Sequence, residues 1–135
     1  MMNAQAFFQP RGIAVFGSTS PGKLGAILIG RLFEGGYDQV YAVNPRGRGF
    51  EAAPGFSSVG EIGQPLDLAL IATPAATVAG IIRNCGAAGI RAAVIISSGF
   101  GEAHRPDLEA ELKQAAAEAG VRYIGPNCSG LINTH

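Results

Sequence analysis

The chain has 135 residues, enough for one domain with a real core. Hydrophobic residues make up 47% and charged residues 15%, a balance that excludes disorder. Ten basic residues offset ten acidic ones, which excludes a broad nucleic-acid or anionic-membrane footprint, so any anion must be held by local geometry.

The first residues, "MMNAQAFFQP", lack the basic region and long apolar stretch of a signal peptide and read as an extension over residues 1–11. The spacing then predicts a buried strand at 12–16 ("GIAVF") and a helix at 23–34. Leu24, Ile27, Leu28 and Leu32 share one face of that helix, and Gly35-Gly36 ends it. A second strand is expected at 39–43 and a third at 66–72. Thr73 and Pro74 then suit the N-cap and first position of a helix whose inner face is Val78, Ile81, Ile82 and Cys85. A fourth strand follows at 92–97. Pro106 opens a helix with Leu108, Leu112, Ala115 and Ala119 inward and Gly120 at its end, and a fifth strand spans 121–125. No apolar run approaches the roughly 20 residues that cross a bilayer. Cys85 and Cys128 are too few for a disulfide framework and too isolated for zinc, so a reduced, cytoplasmic setting is expected.

The strand-like runs are continuous rather than alternating, so both their faces should be covered. Strands and helices alternate, which predicts an α/β fold: a Rossmann-like, doubly wound parallel sheet in three αβα layers, a single domain over 12–135. In such sheets ligands bind beyond the carboxyl ends of the strands, near the point where strand order reverses. The loops to inspect are therefore Gly17–Gly25, Asn44–Arg48, Thr73-Pro74, Ser97–Gly101 and Pro126–Gly130.

The first loop carries Gly17, Gly22 and Gly25 with Ser18, Thr19, Ser20, Pro21 and Lys23 among them. Glycines let backbone N–H groups approach a phosphate, and the helix that follows favours negative charge. Gly17 to Lys23 match the start of an ATP-binding P-loop, but Leu24 stands where that motif needs Ser or Thr for Mg²⁺. The spacing also departs from the ordinary G-x-G-x-x-G dinucleotide fingerprint. The second loop, "VNPRGRG", has Asn44, Pro45, Arg46 and Arg48 where an NAD domain carries an acidic residue for the ribose hydroxyl. Two arginines there suit a ribose phosphate, as in NADP or coenzyme A, more than plain NAD, with a solvated loop as the lesser alternative. The small residues of "ATPAA" and "SSGFGEA" leave room for a long ligand on the same edge.

Taken together, "AVFGSTSPGKLG", "VYAVNPR", "LDLALIATPA", "AAVIISSGFGE" and "YIGPNCSGLIN" resemble the CoA-binding domain at the N-terminus of NDP-forming acyl-CoA synthetases. That group is akin to the succinyl-CoA synthetase α subunit, and a similar module occurs in some bacterial protein acetyltransferases. The resemblance runs from about Gly12 to Asn133. It implies that the Ser18–Gly25 loop holds the CoA diphosphate and that Asn44, Pro45 and Arg46 lie near the adenosine and its 3′-phosphate. It further implies that Thr73, Pro74, Ser98, Gly99 and Phe100 flank the pantetheine, with Asn127 and Cys128 near the thiol end.

In the full enzymes of that group an acid, CoA and a nucleoside triphosphate give acyl-CoA, the diphosphate and phosphate, through a phosphohistidine on a later domain. His104 and His135 match no such position, and no ATP-grasp segment is present. The chain alone is thus expected to bind CoA or acyl-CoA without completing a reaction, as a fragment of a longer enzyme. Ligase-CoA and ATP-grasp domains, in the same or a partner chain, are the implied partners, and a homo-oligomer is compatible with the sequence. Three alternatives stay open at this point: an NADP-binding oxidoreductase domain, a CoA-binding regulatory domain of an acetyltransferase, and a ligand-free interaction or regulatory domain that keeps the fold but not the site.

Overall fold

A strand with apolar residues on both faces is stable only between two layers, and the apolar runs of this chain fold that way. The computed structural model describes residues 9–96 and 106–125. In chain order these form β1 (Ile13–Phe16), α1 (Leu24–Glu34), β2 (Val40–Val43), β3 (Gly55–Phe56), a 3₁₀ turn (Val59–Glu61), β4 (Leu68–Ile71), α2 (Ala75–Ala87), β5 (Ala92–Ile95), α3 (Pro106–Ala119) and β6 (Arg122–Ile124). The six strands make one sheet in the order β3-β2-β1-β4-β5-β6, parallel throughout. Strand order reverses between β1 and β4, which is where the dinucleotide-binding folds place their ligands.

Alternate strand residues feed two separate cores. Ala14, Phe16, Tyr41, Val43, Ala69, Ile71, Ala93 and Ile95 pack with Val78, Ile82 and Cys85 of α2 and Leu112 and Ala115 of α3. Ile13, Val15, Val40, Ala42, Leu68 and Leu70 pack on the opposite face with Ile29 of α1. This is the expected three-layer αβα arrangement. Each fully buried isoleucine, such as Ile29, Ile71 or Ile82, contributes roughly 1.5–3 kcal/mol through burial alone. Burial also pushes the Cys85 thiol up to about 12, so it stays protonated and inert in the core.

Three local features differ from the sequence-based expectation. In α1 the buried residues are Gly25, Ala26 and Ile29, while Leu24 and Ile27 are 40% and 46% exposed. Leu28 and Leu32 pack only partly against the core. The helix starts so close to the preceding loop that small residues must face it, and this rotates the larger side chains outward. At α2, Pro74 rather than Thr73 occupies the N-cap, and Thr77 Oγ1 donates to the Pro74 carbonyl oxygen at 2.6 Å. The third difference is β3, a sixth strand of two residues, too short to leave any periodicity in the sequence.

At the amino edge of the sheet, Arg11 grips Asp67 and so ties the chain entering β1 to the chain entering β4. Its Nε donates to Oδ2 at 2.9 Å, its outer guanidinium nitrogen to Oδ1 at 2.7 Å, and its backbone N–H to Oδ2 at 2.8 Å. The Arg11 side-chain hydrogen bonds hold the Asp67 carboxyl below the usual carboxylate range, against the opposing effect of burial. A carboxyl with a lowered folded pKa stabilises the fold above its unfolded value, near pH 4, and loses that effect as pH falls through the folded value. The Asp67→Asn variant should therefore melt lower than wild type at pH 7, and the gap should close on acidification. Melting temperatures measured from pH 7 to pH 2 check this, and a gap that stays constant would remove Asp67 from the acid response.

Candidate functional site

The first loop begins where three strands converge. Gly17 leaves β1 at φ +155° and donates its N–H to the Val43 carbonyl at 3.1 Å. A side chain there would meet the Ala72 carbonyl oxygen, the exit of β4, at 3.0 Å. Glycine is required by both the backbone angle and the space. Ser18, Ser20, Pro21, Gly22 and Lys23 then run exposed over the carboxyl edge, with Thr19 alone buried among them. Gly25 returns the chain against the start of the loop, where a Cβ would overlap the Ser18 carbonyl oxygen.

Lys23 is the N-cap of α1, makes no side-chain cap bond, and is followed by a first turn without an acidic residue. The positive end of the helix thus faces the exposed loop with no carboxylate of its own element to offset it. That is an environment for an anion.

The second loop is built around Asn44, in the manner expected of an Asn-Pro turn. The Asn44 Nδ2 donates to the Arg48 carbonyl at 2.8 Å, and the Arg48 N–H donates to Asn44 Oδ1 at 3.0 Å. The Gly47 N–H closes the turn on the Asn44 carbonyl at 2.9 Å. Pro45 and Arg46 lie exposed at its tip, and the Arg48 residue is also exposed. Among the described residues no ion pair engages Lys23, Arg46 or Arg48. The two loops touch through Thr19, whose Oγ1 donates to the same Arg48 carbonyl at 3.2 Å.

The third loop follows β4. Thr73 is half-buried and Pro74 exposed on the same edge, and Thr73 Oγ1 lies 2.8 Å from Thr77 Oγ1. The structure thus places Gly17, Ser18, Thr19, Pro21, Gly22, Lys23, Asn44, Pro45, Arg46, Thr73 and Pro74 on three loops at the carboxyl edge of neighbouring strands, with Leu24 and Gly25 in the first turn of α1. Ser98, Gly99, Phe100, Asn127 and Cys128 lie outside the described residues, as do Glu102, His104 and His135. The resemblance implies a contact for Arg46 and none for Arg48, and the structure makes the Arg48 backbone the junction of two loops. The signal was the Asn-Pro dipeptide four residues earlier.

Exposed cations, hydroxyls and a helix N-terminus lie along this edge, groups of the kind that hold an anionic ligand. Among the described residues, no group of three or more His, Cys, Asp or Glu side chains comes together to hold a metal. Nor is any helix there long and apolar enough to cross a membrane.

A family model described as a CoA binding domain matches residues 11–134. The α subunit of acetate–CoA ligase [ADP-forming] II from Pyrococcus furiosus is 42% identical over 96% of this chain, which covers 29% of that protein. Acetate–CoA ligase [ADP-forming] I from Archaeoglobus fulgidus is 41% identical over 96% of the chain, covering 19% of its own length. Among solved structures, the dinucleotide forming acetyl-coenzyme A synthetase 1 of Ca. Korarchaeum cryptofilum, in complex with phosphate and ADP, superposes with a TM-score of 0.85. It is 35% identical, and the match covers 94% of this chain and 28% of that one. The chain spans less than a third of the length of these relatives.

Proposed function

The chain belongs to the CoA-binding domain family, and we propose that it binds coenzyme A or acyl-CoA along the carboxyl edge of its sheet as part of an ADP-forming acyl-CoA synthetase. The observation that carries this reading is the direct join between an anion loop and an arginine loop, made by Thr19 on Arg48. A diphosphate and a phosphorylated ribose are separate charges on one ligand, and two linked cationic loops suit such a ligand.

The chain's own residues then bind and orient. The Ser18–Gly25 loop takes the diphosphate on backbone N–H groups at the start of α1, with Lys23 adding charge. Arg46, at the tip of the second loop, takes the 3′-phosphate with its planar fork of donors. Thr73 and Pro74, with Ser98, Gly99 and Phe100, flank the pantetheine arm, and Asn127 and Cys128 lie near its thiol. This residue set provides no step of acyl or phosphoryl transfer. Ligase-CoA and ATP-grasp domains, in the same chain or a partner chain, complete the enzyme in this reading. The cytoplasm is the setting that fits, because it keeps a thiol such as that of CoA reduced.

Calorimetric titration of the chain with CoA and with NADPH tests the proposal. One-site binding of CoA with no heat from NADPH is expected. Binding of NADPH without CoA overturns the reading in favour of an oxidoreductase domain, and a folded chain that binds neither overturns it in favour of an interaction domain.

A further inference from the structure

The Thr19–Arg48 contact joins the Asn44 turn to a loop 29 residues away, a join that local turn chemistry does not demand. The Arg48 carbonyl accepts two hydrogen bonds, from Asn44 Nδ2 at 2.8 Å and from Thr19 Oγ1 at 3.2 Å. Its N–H is taken by Asn44 Oδ1 at 3.0 Å, so one side-chain amide satisfies both backbone groups of Arg48. Thr19 reaches across 29 residues of sequence to make its bond, and it is 8% exposed in an otherwise exposed loop. A buried hydroxyl that has found a partner keeps it, since breaking the pair leaves polar groups unsatisfied. Gly25, with no side chain, lets the first turn of α1 pack directly on the Ser18 backbone. The second loop is thereby fastened to the first, and the first lies close against the helix.

We propose that Thr19 and Asn44 are positioning residues: they lock the second loop so that its arginines meet the terminal phosphate of a ligand whose diphosphate lies in the first. This rests on the CoA reading above and deepens it. It gives two residues of the predicted contact set a different task, because the Thr19 hydroxyl proton is committed to Arg48 and each end of the Asn44 amide bonds that same residue. An exposed arginine on a loose loop loses side-chain and backbone entropy on meeting a phosphate. A loop already fixed in place avoids the backbone part of that loss.

The lock acts on the arginine loop, so its loss should narrow the preference for CoA over 3′-dephospho-CoA, which lacks the terminal phosphate. A merely structural role would weaken both ligands alike. The test is calorimetric titration of wild type and the Thr19→Val, Thr19→Ser and Asn44→Ala variants with the two ligands. Thr19→Val keeps the branched shape and removes only the hydroxyl, and Thr19→Ser restores the hydroxyl. The ratio of the two dissociation constants should fall by about three- to tenfold in Thr19→Val and Asn44→Ala, on the order of one hydrogen-bonded contact, and return in Thr19→Ser. Circular dichroism of each variant separates this from loss of the fold. A ratio unchanged in both variants, with wild type preferring CoA, overturns the lock and leaves the CoA reading intact. A wild type that binds both ligands equally overturns the lock together with the phosphate task of Arg46, and a folded wild type that binds neither overturns the CoA reading.

Discussion

The Gly25→Ala variant should lose most of its CoA affinity while Gly30→Ala, one and a half turns along the same helix, should keep all of it. At position 25 the new Cβ would overlap the Ser18 carbonyl oxygen and lie 3.1 Å from the Gly17 and Ser18 carbonyl carbons. These are backbone atoms, which cannot swing away as a side-chain tip can. The helix start and the loop must separate, at a cost of about 1–3 kcal/mol typical of overpacking. The same displacement moves the backbone donors that the proposal assigns to the diphosphate. Losing two charge-assisted hydrogen bonds of roughly 1.5 kcal/mol each weakens CoA about a hundredfold. At position 30 a Cβ meets nothing within 4 Å. Alanine is there a better helix former than glycine by about 0.5–1 kcal/mol, so this variant should melt higher and titrate like wild type. Titration and thermal melts of the pair decide the matter. Wild-type CoA affinity in Gly25→Ala would show that the helix contact does not set the loop.

The same residue explains what was and was not legible in the sequence. Continuous apolar runs announced a sheet covered on both faces, and glycines placed the turns. For α2 the inner face Val78, Ile82 and Cys85 followed from spacing alone. For α1 spacing misled, because periodicity weighs hydrophobicity and ignores size. Leu24 and Ile27 are the more apolar choice, yet only Gly25 and Ala26 are small enough for the close approach the loop demands. The candidate loops follow from position after each strand, because a parallel sheet brings those loops to one edge. The tasks of Thr19 and Asn44 within them were not legible. One depends on a contact between residues 29 apart, and the other on both ends of a single amide. β3 was invisible for a related reason: Gly55 and Phe56 are a strand only because they pair with Ala42 and Val43.

The Arg46→Ala variant should weaken CoA by about tenfold or more and leave 3′-dephospho-CoA within about twofold, because only CoA has a phosphate for the lost fork to hold. Arg46 stands exposed at the tip of a turn whose base is clamped by Asn44, and no ion pair among the described residues competes for it. Arg46→Lys should recover part of the loss, since an ammonium supplies the charge without the planar pair of donors. Two dependences distinguish this electrostatic role from a change in loop shape. The gap between wild type and Arg46→Ala should shrink as salt rises, because the contact is at the surface. It should also shrink as pH falls below about 6, where a phosphate monoester dianion takes up a proton and becomes a monoanion. Equal losses of both ligands would remove Arg46 from the phosphate. The Arg48→Ala variant, titrated in the same way, then tests whether the neighbouring guanidinium carries the discrimination, since its backbone is the part of the loop held most firmly in place.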